Sequence, residues 1–425
     1  MKSKALFLST CLLMPVSNAY SAWNWSGALK TKFQADNRYT RYVDDAQVFG
    51  EVWANFEAFN DDGWRATIDF VAREGSKYGF EGDIYQLYAE KQIKEWDSTI
   101  KAGRFQRSDS LGFYSLDGAS WLYALSEYGL SFSVYAGKPT RQEDVRSVSG
   151  DWLYGVDMMS NQEINWHNDV LPIDSWLMRF SFQQFHDEHT STRLTLANTI
   201  IGEYKHDLLH AYELSFMSTL ETETGVFEEV FASLMLDITE DTRVRINYSL
   251  YEPKSFYPTF KEKFYSEYYQ GRQDLLSLSF DQQLTDTLSY HMGGKRAARR
   301  SEHDIGYGFD MGVKSSYFRD LVVSADFDML EFGKSSSYNM YFSGQYSIGA
   351  NSLLNLNLAY SWDTSALYGE NRGAGTEIKY RYKLFSDVFL DLSGSYIVNS
   401  RLNNEYLAGL QVTWYFDNFQ AKVSH

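Results

Sequence analysis

Along most of this chain, apolar and polar side chains change places at every residue. In the stretch 65–73, Ala66, Ile68, Phe70 and Ala72 fall on one face, and Arg65, Thr67, Asp69 and Arg73 fall on the other. Val244, Ile246, Tyr248 and Leu250 oppose Arg243, Arg245, Asn247 and Ser249 in the same way. So do Leu354, Leu356, Leu358 and Tyr360 against Asn355, Asn357 and Ser361, and Ile378, Tyr380 and Tyr382 against Glu377, Lys379, Arg381 and Lys383. A period of two belongs to a β-strand, whose successive side chains leave opposite faces. About 22 segments of roughly ten residues carry the pattern, the weakest of them between 119 and 210.

Two kinds of connection take turns between these segments. Short ones include 60–63, 95–97, 239–241, 285–286, 349–352 and 385–387; longer polar ones lie near 36–45, 74–82, 107–118, 138–151, 252–273, 297–305, 363–375 and 398–404. The rhythm predicts an all-β fold: a transmembrane, antiparallel up-and-down β-barrel of about 16–22 strands, with short periplasmic turns and long extracellular loops. A soluble sandwich would have to pack a second layer on faces rich in charge. A propeller would show a blade-length repeat, and none is visible. Aromatic residues flank many strand ends, among them Trp64, Trp121, Trp176, Tyr251, Tyr360, Trp362, Trp414 and Phe416, as rings at a lipid–water boundary would.

Composition fits that expectation. The mean hydropathy is only −0.41, and no apolar run approaches the ~18 residues of a spanning helix. A closed sheet resolves the difficulty, because every backbone group is paired and lipid meets only alternate side chains. With 39 basic and 56 acidic residues, the net charge of −17 argues against a nucleic-acid partner. An aromatic content of 17% excludes a disordered chain.

Lys2 and Lys4 precede the apolar run 5–14, then Pro15 and small residues, which is the layout of a secretory signal. Residues 1–22 are expected to be that signal, cleaved within 19–22, and residues 23–425 a single barrel domain. The stretch Leu8-Ser9-Thr10-Cys11 vaguely resembles a lipobox, but the apolar run continues past Cys11, which counts against lipidation. Cys11 is the one cysteine, so the exported chain would rely on hydrogen bonding and burial, without disulfides.

The segment after the signal resembles Gram-negative outer-membrane barrels, broadly the porins. The alternation, the loop asymmetry and the signal carry this resemblance, together with a last strand, Tyr406–Phe416, that ends on an aromatic. Such a strand implies recognition by the barrel-assembly machinery, and the fold implies contact with outer-membrane lipid and lipopolysaccharide. Here the chain continues through Asp417 to His425, either as an extension of the strand over 418–423 or as a periplasmic tail. The stretch 107–118 falls where general porins carry a third long loop that narrows the pore. The acidic, glycine-rich motif of that loop is absent, so only its position carries over, and an ordinary surface loop is an equal reading.

Within a barrel, the charges Asp69, Arg243, Arg245, Asp326, Asp328, Lys379 and Arg381 are expected to line the pore. Arg104 and Arg107 with Asp109 and Asp117 form either opposed charges across a narrowing or ion pairs that pin a loop to the wall. Lys295, Arg296, Arg299 and Arg300 are the densest basic cluster, suited to lipopolysaccharide phosphates or an anionic solute, or else a solvated rim. Residues 258–271 break the period of two and place Phe260, Phe264 and Tyr268 at helical spacing, which predicts a short helix in an extracellular loop. His206 and His210 stand four apart with Asp207 between, and His186 and His189 flank Asp187 and Glu188. Zinc hydrolysis would need the first pair on a helix with a Glu as base, so neither pair argues for a rim enzyme. No cofactor or metal is implied.

Two functions remain. The first is a passive pore for small hydrophilic solutes, possessing no plug-sized domain ahead of its first strand. The second is a non-conducting barrel, a scaffold or sleeve for an exported partner that fills the lumen. A homo-oligomer interface would hide among lipid-facing residues in either case.

Overall fold

The computed structural model describes residues 23–37, 47–76, 79–109, 112–140, 152–166, 172–186, 190–206, 209–252, 273–299, 304–365, 369–399 and 404–417. They form β1 (Trp23–Asp36), β2 (Gln47–Asn60), β3 (Trp64–Gly75), β4 (Gly79–Ile93), β5 (Ser98–Asp109), β6 (Gly112–Leu125), β7 (Leu130–Thr140), β8 (Trp152–Trp166), β9 (Ile173–His186), β10 (Thr190–His206) and β11 (Leu209–Glu221). The second half is β12 (Val226–Thr239), β13 (Thr242–Tyr251), β14 (Gln273–Thr285), β15 (Leu288–Arg299), β16 (Asp304–Phe318), β17 (Leu321–Phe332), β18 (Ser335–Ile348), β19 (Ser352–Ser365), β20 (Gly369–Phe385), β21 (Val388–Asn399) and β22 (Glu405–Asp417).

Each strand pairs antiparallel with its neighbour in sequence, and β1 pairs with β22, so the 22-stranded sheet closes. The seam runs from Ser26 opposite Asp417 to Asp36 opposite Leu407. Gly27 matters there: a Cβ at this position would run into the Asn55 carbonyl oxygen and the ring of Phe416. Trp25, Trp414 and Phe416 complete the seal, with ring centroids 5.9 Å (Trp25–Phe416) and 5.0 Å (Trp414–Phe416) apart. Such ring pairs contribute about 0.5–1.5 kcal/mol each beyond their buried area.

The alternation in sequence decides the two faces. Ala66, Ile68 and Phe70 turn outward, as do Trp64, Trp121, Trp176, Trp362, Trp414 and Phe416, whereas Thr67, Asp69 and Val71 turn inward and are buried. Tyr251 is the exception among the expected girdle rings: its register with Glu229 and Gln273 puts it on the inward parity of Arg243 and Arg245. A barrel apolar outside and polar inside is a membrane-spanning wall.

The turns at the end where β1 begins and β22 finishes are short. Gly349, with φ +66°, supplies the left-handed residue that one of them needs; Asp97, at φ 43°, does so at the end of the 3-10 turn Lys94–Trp96. The opposite end has the longest connections, 37–46, 141–151 and 252–272, but also some of the shortest. One of those corrects an expectation. The stretch 107–118 is no loop: Arg107–Asp109 end β5 and Gly112 begins β6, leaving only 110–111 between them. Residues 1–22, 258–271 and 418–425, with their expected signal, helix and tail, lie outside the described residues.

Candidate functional site

The inner wall is the surface on which chemistry can occur, and its character changes around the barrel. On β5–β9, Phe105, Leu116, Tyr135, Leu153 and Phe185 pack into one buried cluster on the inward side. They do so over a row of glycines, Gly103, Gly118 and Gly137, which stand opposite one another on β5, β6 and β7. A Cβ at Gly118 would overlap the backbone of Ala136 and Gly137, while one at Gly155 would meet the Tyr135 ring and hydroxyl, so Tyr135 lies across to β8. Arg107 stacks 3.3 Å over the Tyr135 ring and reaches three strands across to Asp157. Arg179 shares that carboxylate at 3.5 Å, and Gln183 donates to the Tyr135 hydroxyl at 3.1 Å. Further round, Arg193 Nη2 donates to Glu228 Oε1 at 3.3 Å; its Nε lies 2.8 Å from Oε2 but at an angle too poor for a hydrogen bond.

On β13–β22 the inward side chains are polar and largely open to solvent. Arg243 pairs with Asp237 at 2.6 Å, Arg381 with Asp391 at 2.6 Å, and Lys379 with Glu377 at 2.8 Å. Strand β16 presents Gly306, Gly308 and Gly312 inward, and its neighbours use the space. Lys295 of β15 lies across Gly308 to reach Asp328 of β17, and His291 lies across Gly312, 3.7 Å from Asp326. The glycines thus let ion pairs form between strands that are not neighbours.

Two recesses of about 530 and 600 Å³ open on the inner side of β11–β17, and Arg245 lines both. Among the described residues, no group of three or more His, Cys, Asp or Glu side chains could hold a metal ion.

The expected pore-lining residues sort by parity. Asp69, Arg107, Arg243, Arg245, Asp326, Asp328, Lys379 and Arg381 all face inward; Asp69 is buried and accepts a hydrogen bond from Trp53 Nε1. Arg104 and Asp117 do not. They stand opposite each other on the parity of Ile100, Ala102 and Ala119, so the pair lies on the outer face, with bonds of 2.5 and 2.6 Å. Arg104 also donates from Nη1 to Ile84 O at 2.9 Å, so its guanidinium is bonded to the carboxylate on one side and to the backbone of β4 on the other. The side chain of Asp109 lies outside the described residues. The basic cluster is also divided. Lys295 and Arg299 face inward, the latter 3.9 Å over the Phe332 ring, while Arg296 alone faces outward beside Tyr307. Arg300 lies outside the described residues, so no joint rim of four cations forms among the others.

The first histidine pair loses its geometry, and of the second His189 lies outside the described residues. His206 ends β10 and His210 lies on β11, across a strand turn where a hydrolase would need a helix; His186 Nδ1 is 2.9 Å from Thr190 Oγ1. Sequence reasoning missed Asp157, Arg193, Glu228, His291 and Glu213. Arg193 was findable, because it alternates with Leu194 and Leu196 on a strand.

No protein-family model matches the sequence, and no curated protein does. Solved structures do resemble the barrel. The P pilus usher (PapC) translocation pore matches at 8% identity and a TM-score of 0.45, covering 92% of this chain and 99% of that one. OccK2 (OpdF) of Pseudomonas aeruginosa, solved with glucuronate, matches at 9% and 0.46, covering 93% and 96%. A BenF-like porin from Pseudomonas fluorescens Pf-5 matches at 9% and 0.44, covering 93% and 98%. At these values the likeness is one of barrel shape and extends to no cargo.

Proposed function

We propose that this chain is an outer-membrane channel through which small hydrophilic solutes diffuse along a charged wall. The observation that carries the reading is the inner face of β13–β22, where Arg381, Lys379 and Asp328 stay in contact with solvent although each is ion-paired. Pairing across the glycine strand β16 holds long side chains against the wall, which keeps that side of the lumen clear. Residues 1–22 are the export signal, removed within 19–22. The barrel contacts lipopolysaccharide, with Arg296 as the outward cation available to a phosphate, and β22 is the strand offered to the barrel-assembly machinery.

Single-channel recording of the refolded, signal-free protein in a planar bilayer tests this reading. A steady conductance with defined ion selectivity is expected. Silence from protein verified as folded overturns it and favours the second reading, a sleeve or scaffold for an exported partner. That alternative draws on breadth alone, since a 22-stranded barrel encloses more space than side chains fill.

A further inference from the structure

We infer that the recess on the inner wall of β11–β14 is a binding site for zwitterionic solutes of about dipeptide size; the inference rests on the channel reading for the route by which such a solute arrives. Among the described residues, most inward arginines elsewhere on the wall sit against a carboxylate. Arg65, Arg73, Arg193, Arg243 and Arg381 each have a carboxylate oxygen within 3.0 Å. Arg245 does not: its one hydrogen bond goes to Met235 Sδ at 3.6 Å, a weak acceptor. Glu213 lines the same recess and accepts from Ser215 Oγ, at 3.0 Å; Arg243 lies within range of its charge but is already paired with Asp237 at 2.6 Å.

These two opposite charges do not neutralise each other, because the register keeps them apart. Glu213 stands opposite Met235, and Met235 stands opposite Arg245, so an apolar side chain fills the strand between them. Two strand spacings amount to roughly 10 Å between backbones. An extended dipeptide separates its carboxylate and ammonium by about 7 Å, and the long side chains of Glu213 and Arg245, which both line the recess, make up the difference. Its carboxylate meets the two-pronged guanidinium of Arg245, its ammonium meets Glu213, and its side chains lie over Met235 and Phe231. Ser233, Asn247 and Ser277 form a hydrogen-bonded row beside it (2.7 and 3.4 Å), oriented for the peptide group. The recess, about 530 Å³, is of ordinary size for a small ligand.

Calorimetric titration of the folded protein in detergent micelles tests the site without requiring conduction. The probes are L-alanyl-L-alanine, its N-acetyl derivative and its C-terminal amide. Saturable binding of the free dipeptide is expected, with each blocked form at least about tenfold weaker, as the loss of one charge-assisted hydrogen bond implies. Arg245→Gln should erase the difference between dipeptide and amide while keeping the penalty for acetylation, and Glu213→Gln should do the reverse. Arg245→Lys, which keeps the charge, should retain the preference for a free carboxylate. Equal binding of all three probes, no binding, or the same loss for every probe in both variants overturns the site. Should a glutamine variant fail to fold, the three probes on the unaltered protein still decide. Binding without current overturns the channel and leaves the site; current without discrimination between probes leaves the channel and overturns the site.

Discussion

The arcs β5–β12 and β13–β22 share one sheet and one alternation, yet their inner faces differ. On the first, the Arg193 and Glu228 side chains keep only 4% and 10% of their surface, and Arg107 and Asp157 only 13% and 11%. On the second, Arg381 and Lys379 keep 57% and 54%. A period of two therefore decides which way a side chain points and leaves open how crowded that side will be. Crowding follows from size: Phe105, Leu116, Tyr135, Leu153 and Phe185 meet over glycines in the first arc, whereas serine, asparagine and aspartate dominate the inward positions of β17–β19.

Removing matched arginines is the most demanding test of that difference. Arg193→Ala leaves Glu228 buried and uncompensated, which costs about 3–5 kcal/mol. Arg381→Ala releases an exposed pair and, after solvent screening, should cost at most about 1 kcal/mol. Urea unfolding in micelles reads both; equal losses would mean that the arcs do not differ in packing. Next in size comes Leu116→Ala, which opens a cavity in the inward cluster and should cost about 2–5 kcal/mol. A loss below about 0.5 kcal/mol would show that this cluster carries no packing energy.

The glycine strand sharpens the comparison from the open side. Gly312→Val pushes a branched side chain into the space occupied by His291 and the Asp326 carboxylate. Overpacking of this kind costs about 1–3 kcal/mol, and separating the pair should also shift the ion selectivity. Gly294, on the outer face of β15, has nothing within 4 Å of where a Cβ would stand. Gly294→Ala should therefore leave both readouts unchanged, and a matching effect at the two positions would mean that glycine acts through backbone freedom alone.

Much of this was legible beforehand, for stated physical reasons. The barrel and a range of about 16–22 strands follow from the alternation, which every strand needs in order to face lipid and lumen at once; closure at 22 comes from the pairing of β1 with β22. The facing of Arg104 is legible too, in its parity with Ile100 and Ala102, which decides its side of the sheet whatever its charge. Lys295 and Arg296 are adjacent, and adjacent strand residues cannot share a face. The stretch 107–118 read as a loop because Arg107-Ser-Asp-Ser-Leu-Gly112 resembles a polar turn, although strand ends beyond the bilayer are just as polar. The pairing of Arg107 with Asp157 is not legible in the sequence, since it spans 50 residues and three strands.

The smallest expected effect lies at the rim of the crowded arc, in the turn that joins β11 to β12. Burial works to raise the Glu223 carboxyl, but hydrogen bonds from Thr192 outweigh it and hold the group below the usual carboxylate range. The backbone N–H of Thr192 donates to Glu223 Oε2 at 2.7 Å, and the Thr222 N–H donates to Thr192 O at 2.9 Å, so the turn is fastened to the start of β10. Because the folded value is depressed, the stabilisation is fully present above the ordinary value of 4.5 and is lost as the pH falls through the folded one. Hydrogen exchange at the Thr192 amide should accelerate, relative to its intrinsic rate, only below that ordinary value. Glu223→Gln should remove this dependence while leaving the neighbouring β-ladder amides protected. An unchanged profile in Glu223→Gln would assign the fastening to the backbone bond from Thr222 alone.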